Sequence, residues 1–308
     1  MAVKLCVEPK TPPMPWEQFC KEKPALSIAI DGYVSGAPNE DPKKHLLSLN
    51  HHEQVKRLNT RATCAQALFF VRQGLYSYFR INEEATAQVY TNDCDHDVDL
   101  TWTILHNPEL VLESHNPSLN RLVKLVDELD TTSGLCYIDV SLPILQHHAW
   151  IFDPYMQFRL SGNIDKRDPK EFAEIIYAVE ARILRHLDGT GESIPVNTDY
   201  IYLGGRNDWA MIKEIGAQAR GAAFKNGIRA LITVRERVDG NYNYSFCKAL
   251  PFVHFDIPLI LSTLNALEGL TDKPDRHGGG DFTGGTSRNL GCAIPPKELE
   301  RIINSLHQ

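Results

Sequence analysis

At 308 residues and a net charge of −7, the chain is long enough for two domains that each bury a core, and it carries no overall basic character. Duplex nucleic acid, which selects for a basic face, is therefore not an expected partner. Hydrophobic residues at 43% and charged residues at 23% suit a globular protein, and no stretch approaches the roughly 18 apolar residues that a membrane-spanning helix requires.

Prolines 9, 12, 13, 15 and 24 each remove a backbone donor and restrict the preceding residue, so residues 1–24 read as an arm without regular helix. Ala25 to Ile30 is an apolar run ending at Asp31-Gly32, a buried strand that delivers a carboxylate to its C-terminal end. Ala62, Ala65, Leu68, Phe69 and Val71 recur at helical spacing between Thr60 and Leu75. Ala87 to Thr91 predicts a second strand, again followed by acidic residues, and Leu100 to Leu105 continues as helix. Leu122, Leu125, Val126 and Leu129 share one face of a helix over 119–129, with Asp127 and Asp130 at its end. A long helix is predicted from Pro169 to Leu187, capped by Asp168. Strand–helix alternation of this kind predicts an α/β domain with a mainly parallel sheet over residues 25–187.

Residues 188–196, rich in Gly, Ser, Pro and Thr, read as a linker. Beyond it the pattern predicts a smaller α+β domain over 197–308. Its elements are a strand at Asp199–Leu203, a helix at Trp209–Asn226, strands at Arg229–Arg235 and Tyr242–Leu250, and helices at Ile257–Leu267 and Pro296–Leu306. A glycine-rich stretch, Gly278 to Gly291, precedes the last helix. Seven cysteines lie scattered with no C-x-x-C pair, which argues against a disulfide framework or a structural zinc site. Residues 1–20 lack a secretory signal, and a cytoplasmic location is expected.

Asp93, Asp95, Asp97 and Asp99 place carboxylates at alternate positions directly after an apolar strand, a build-up of negative charge that calls for a cation. A calcium-binding hand is excluded, because its glycine and glutamate positions fall on Val98 and Ile104. Asn50-His51-His52 supplies imidazoles about twenty residues after Asp31. Histidine pairs are common in loops, as His147-His148 illustrates, so it is the acidic company that makes this pair informative. Imidazole and carboxylate together suit manganese, zinc or iron. Cys64 reads as core, and Trp150 and Tyr155 as cover for a sheet edge or domain junction.

Taken together these residues resemble the DHH phosphoesterases. Asp93-Cys94-Asp95-His96-Asp97 is similar to the family's D-x-D-x-D motif, Asp31 to its strand-terminal aspartate, and Asn50-His51-His52 to its Asp-His-His signature. Asp127 or Asp130 would be the further aspartate. Arg235, with His277-Gly278-Gly279-Gly280 and Gly284-Gly285-Thr286-Ser287-Arg288, resembles the family's substrate-binding arginine and glycine-rich loop. In this sequence the motif order is permuted, and Asn50 stands where the family has aspartate.

The resemblance implies a divalent-metal-dependent hydrolase of a small phosphorylated or nucleotide substrate. Asp31, His51, Asp93, Asp95 and Asp130 would hold one or two ions, manganese first and magnesium, iron or zinc after it. His52, Asn50 and Asp97 would serve catalysis, while Arg235, His277, Gly278, Gly279, Gly280 and Arg288 would bind substrate. The alternatives are hydrolysis of a C–N or C–O bond in a non-phosphorylated metabolite and a catalytically silent ligand-binding protein. The oligomeric state is left open, with a homo-oligomer allowed.

Overall fold

The computed structural model describes residues 2–112, 116–206 and 208–306. It is a mixed α/β structure with two sheets. Two compact units emerge, the first comprising residues 1–131 and 142–194, the second residues 132–141 and 195–308. Among the described residues no helix is long and apolar enough to cross a membrane.

In chain order the first unit holds β1 (Ala2–Val7), α1 (Trp16–Glu22), β2 (Ser27–Ile30), β3 (Asn39–Asp41), β4 (Leu46–Leu49), α2 (Thr63–Arg72), β5 (Arg80–Ile81) and β6 (Glu84–Thr91). The helices α3 (His96–His106), α4 (Glu109–Leu112), α5 (Pro117–Thr131), α6 (Pro143–Ile151), α7 (Asp153–Leu160) and α8 (Pro169–Leu187) follow. The strands stand in the order β1-β6-β2-β4-β3, and β1, β6, β2 and β4 run parallel to their neighbours. β3 pairs antiparallel with β4, and β5 with β6.

Side chains alternate across a strand, and these strands are apolar on both faces. Ile28, Ile30, Leu47, Leu49, Ala87 and Val89 join the main core with α2, α3, α5 and α8. Ala29, Leu46 and Tyr90 point the other way, onto Phe19, Tyr33 and Met14. That second face corrects the reading of residues 1–24 as an arm. The prolines cluster between Pro9 and Pro15 and leave both flanks free, so Ala2–Val7 adds a strand beside β6 and Pro15 sits just ahead of α1. α8 begins and ends as its periodicity predicts, with the Asp168 carboxylate accepting from the amides of Lys170 and Glu171. A cap of this kind contributes about 1 kcal/mol.

The second unit contains β7 (Tyr200–Gly205), β8 (Ala210–Glu214), α9 (Ala219–Lys225), β9 (Ala230–Glu236), β10 (Tyr242–Lys248), α10 (Ile257–Leu267), β11 (Gly278–Gly279), β12 (Thr283–Gly285) and α11 (Pro296–Leu306). Its sheet order is β11-β12-β10-β9-β8-β7, antiparallel except for the parallel pair β8 and β9. The helix expected over Trp209–Asn226 is instead a strand followed by a short helix. Trp209 and Met211 enter one core while Ala210 and Ile212 enter the core on the opposite face, a period of two that outweighs the helical spacing. Gly216 marks the break: a Cβ there would lie 2.2 Å from the carbonyl oxygen of Asn197.

Candidate metal centre

β6, β2 and β4 lie side by side and parallel, so their carboxyl ends share one sheet edge. Loops opening over such an edge are where α/β folds build sites. Asp31 follows β2, Asn50-His51-His52 follows β4, and Asp93 to Asp95 follow β6. Three loops far apart along the chain thus arrive at neighbouring strand ends. Asp31 has a φ of +49°, a left-handed conformation that aspartate tolerates better than most residues. Gly32 continues the turn at φ +77°, and a Cβ on it would stand 3.2 Å from Cδ2 of His52.

His51 and Asp31 are fully buried and face one another. Nε2 of His51 lies 2.7 Å from Oδ2 of Asp130, 3.4 Å from Oδ1 of Asp31 and 3.7 Å from Oδ2 of Asp97. Despite these approaches, neither ring nitrogen makes an in-line hydrogen bond among the described residues, and Oδ2 of Asp31 has no donor there either. A nitrogen aimed between three carboxylate oxygens without bonding any of them is arranged as a coordination site is. His52 stands beside it, with Nε2 2.6 Å from Oδ1 of Asp31. Asp31-His51-His52 and His51-Asp97-Asp130 each bring one ligand atom per residue to within 4.8 Å of the others.

These groups interact strongly through their charges. Burial opposes a charged imidazole, yet Asp130 raises His51 to about 10. Burial likewise opposes the Asp31 carboxylate, but His52 and His51 hold it well below the usual range. Asp95 is pushed well up by burial and then by Asp31 and Asp93. Carboxylates this close repel one another, and a cation among them relieves that repulsion.

The remaining acidic residues divide by the backbone amides they meet. Asp97 accepts from the amides of Thr63 and Cys64 at 2.7 Å each, so its carboxylate closes the N-terminus of α2 as well as facing His51. Burial, then Asp130 and Asp31, push it to about 7 against His51 and the Cys64 thiol. Asp127 takes the Ala62 amide at 2.6 Å, and it is Asp130 that reaches the site. Oδ1 of Asp95 caps α3 through the amides of Asp97 and Val98, and Oδ1 of Asp93 accepts from Cys94. Oδ1 of each is thus taken by backbone amides, and neither residue belongs to the two three-residue groups around His51. Asp99 is buried, and neither of its oxygens has a donor among the described residues.

Asn50, expected in catalysis, is instead a brace. Its Nδ2 donates to the carbonyls of Val34 (3.0 Å) and Gly36 (2.7 Å), and its Oδ1 accepts from the amides of His51 and His52. Carbonyls only accept, so this position needs a donor that aspartate lacks. Arg57 was missed by the sequence reading. It is buried in a 3₁₀ turn, and its Nη1 donates to Nδ1 of His52 at 3.2 Å. Nε donates to the Thr131 carbonyl and Nη2 to the carbonyl and Oδ2 of Asp130. A lone arginine five positions after a histidine has neither motif nor periodicity to mark it.

In the second unit the expected substrate contacts prove to be largely structural. His277 is buried, accepts from the Ser287 amide at Nδ1 (3.0 Å) and faces Glu268 through Nε2 at 2.7 Å. With Nδ1 accepting, the proton sits on Nε2, so His277 is free neither for substrate nor as an ordinary ligand in the nearby Glu268–His277–Cys292 group. Gly278 and Gly279 pair with β12, and a Cβ on Gly279 would lie 2.3 Å from Cα of Gly284, so strand pairing accounts for that glycine. Gly280 continues the hairpin, its amide donating to the Thr283 carbonyl at 2.8 Å. Arg235 lies on β9 opposite Asn243, and Arg288 is exposed on the loop after β12. Arg237, also missed, is buried and ties that loop down by donating to the carbonyl of Asn289 at 2.9 Å.

The His51 imidazole among several carboxylates forms a mixed nitrogen and oxygen donor set suited to manganese, zinc or iron. No protein-family model and no curated protein sequence matches the chain.

Proposed function

We propose that the chain is a divalent-metal-dependent hydrolase, a phosphoesterase of DHH type, acting on a small phosphorylated or nucleotide substrate. The observation that carries this reading is Nε2 of His51, buried 2.7 to 3.7 Å from oxygens of Asp130, Asp31 and Asp97 and bonded in line to none of them. Asp31, His51, Asp97 and Asp130 would hold manganese or a similar ion, with Asp93 and Asp95 supplying further negative charge. Such a cation makes water nucleophilic at neutral pH and screens the charge of a phosphate.

The chain's own groups do the rest. Arg57 occupies Nδ1 of His52, which places the imidazole proton on Nε2. That Nε2–H faces Oδ1 of Asp31 at 2.6 Å, so His52 orients the Asp31 carboxylate rather than acting as the general acid. The finer architecture belongs to the same proposal: a metal-binding domain built on the parallel strands of the first unit, β1 included, and an α+β domain over 197–308 whose Arg235 and Arg288 bind anionic groups. Seven free cysteines suit the cytoplasm.

The test is phosphate release from a panel of phosphomonoesters, phosphodiesters and pyrophosphate, with and without Mn²⁺, alongside elemental analysis of the purified protein. Manganese-dependent turnover that is lost in folded Asp31→Asn and His51→Ala proteins is expected. A wild-type protein that retains no metal and is inactive on every substrate would overturn the reading.

A further inference from the structure

A cavity of about 440 Å³ opens in the first unit, away from the metal centre. Leu46 and Leu47 line it from the start of β4, whereas His51 follows the end of that strand. Phe70 and Gln73 line it from the C-terminal end of α2, whereas Thr63 at the helix start holds Asp97. Helix length alone separates the two places by roughly 15 Å.

The walls are aromatic. Phe79 and Leu75 are buried at the cavity, while Phe70 and Tyr78 remain 39% and 67% exposed. The His45 ring approaches those of Tyr78 and Phe79 with centroids 6.5 and 6.1 Å away. His45 has a φ of +51°, a strained setting for a side chain without glycine's freedom. Glu40, on β3 opposite Leu47, adds a carboxylate to this apolar lining, whereas Asp41 stands opposite Leu46 on the other face of the strand. Oδ1 of Asp41 is held by the amides of Lys43 and Lys44, and Nζ of Lys44 is turned away to the carbonyl of Cys20 at 2.6 Å.

From this we infer that the cavity is a binding site for an aromatic amine, its flat ring among Phe70, Tyr78 and Phe79 and its ammonium beside Glu40. The volume lies in the range of small-molecule sites and holds one or two fused rings. Aromatic faces attract a cation, and the neighbouring carboxylate adds to that attraction, whereas an acid of the same shape meets a like charge. Nothing in the proposed hydrolysis uses these residues, so binding can be read without turnover.

The experiment compares three probes that share an indole ring, namely tryptamine, indole-3-ethanol and indole-3-propionate, by calorimetry on the full chain. Tryptamine is expected to bind about tenfold more tightly than the alcohol, with the acid weaker still. Glu40→Gln should erase most of the advantage of the amine over the alcohol, and Tyr78→Ala should weaken both. Both positions are exposed, so the folded state should survive, as circular dichroism would verify. His51→Ala should leave tryptamine binding unchanged. Equal binding of amine and acid, no binding at millimolar concentration, or binding indifferent to both cavity substitutions would overturn the assignment.

Discussion

Arg57 and His52 share a hydrogen bond that decides where the imidazole proton resides: Nη1 donates to Nδ1 at 3.2 Å, leaving the proton on Nε2, 2.6 Å from Oδ1 of Asp31. The same guanidinium holds the carbonyls of Thr131 and Asp130. Lysine keeps the charge but cannot span three acceptors from one planar group. Arg57→Lys is therefore expected to lower Mn²⁺ affinity or turnover by about 10–100-fold, the usual effect of disturbing groups behind a metal ligand. Manganese titration and kcat read this directly. A lysine variant equal to wild type in both would remove Arg57 from the site.

Asn50→Asp adds a carboxylate beside the candidate metal ligands, and it should nonetheless be harmful. The carbonyls of Val34 and Gly36 now receive Nδ2 at 3.0 and 2.7 Å, and a carboxylate oxygen would face them with lone pairs instead. Leaving buried acceptors unpaired costs about 1–3 kcal/mol, so the urea midpoint should fall. Tighter metal binding at unchanged stability would instead return Asn50 to the ligand set.

This contrast shows how much of the site was legible. Asp31, His51, His52 and Asp130 could be found because each ends a periodic element, and parallel strands bring such ends to one edge. The braces could not, since Asn50 and Arg57 act through carbonyls of Val34, Gly36, Asp130 and Thr131, partners that every residue type offers equally. For the fold, α8 and α10 were readable from long apolar periods. β8 was not, because five residues flanked by Trp209 and a small helix satisfy both a period of two and one of 3.6. β1 was hidden by prolines that follow it, although its value comes from pairing with β6, some eighty residues on.

Asp127 and Asp130 lie three residues apart on α5 and should separate cleanly on mutation. Asp127 takes the Ala62 amide at the start of α2, so Asp127→Ala should cost about 0.5–2 kcal/mol of stability while metal affinity holds. Asp130 lies 2.7 Å from Nε2 of His51, so Asp130→Ala should abolish manganese binding. Parallel denaturation and metal titration of the two variants settle the assignment. Loss of metal in Asp127→Ala with no loss of stability would reverse it.

His148 gives the chain a dependence on acid. It is buried, its ring packs on His96 and Phe152, and neither nitrogen has a hydrogen-bond partner among the described residues. Burial alone lowers its pKa to about 3. The unfolded imidazole titrates near its ordinary value of about 6.5, so below that pH the unfolded chain binds a proton that the folded chain refuses. The contribution of His148 is therefore fully present above about pH 6.5 and is lost as pH falls toward 3, with a limiting slope near 1.4 kcal/mol per pH unit. His148→Phe removes the titrating group and keeps an aromatic ring in the same pocket. Urea unfolding between pH 7 and pH 4 should then show the variant losing less stability than wild type, by about one proton's slope. Parallel curves for the two proteins over that interval would mean that His148 is protonated in the folded state.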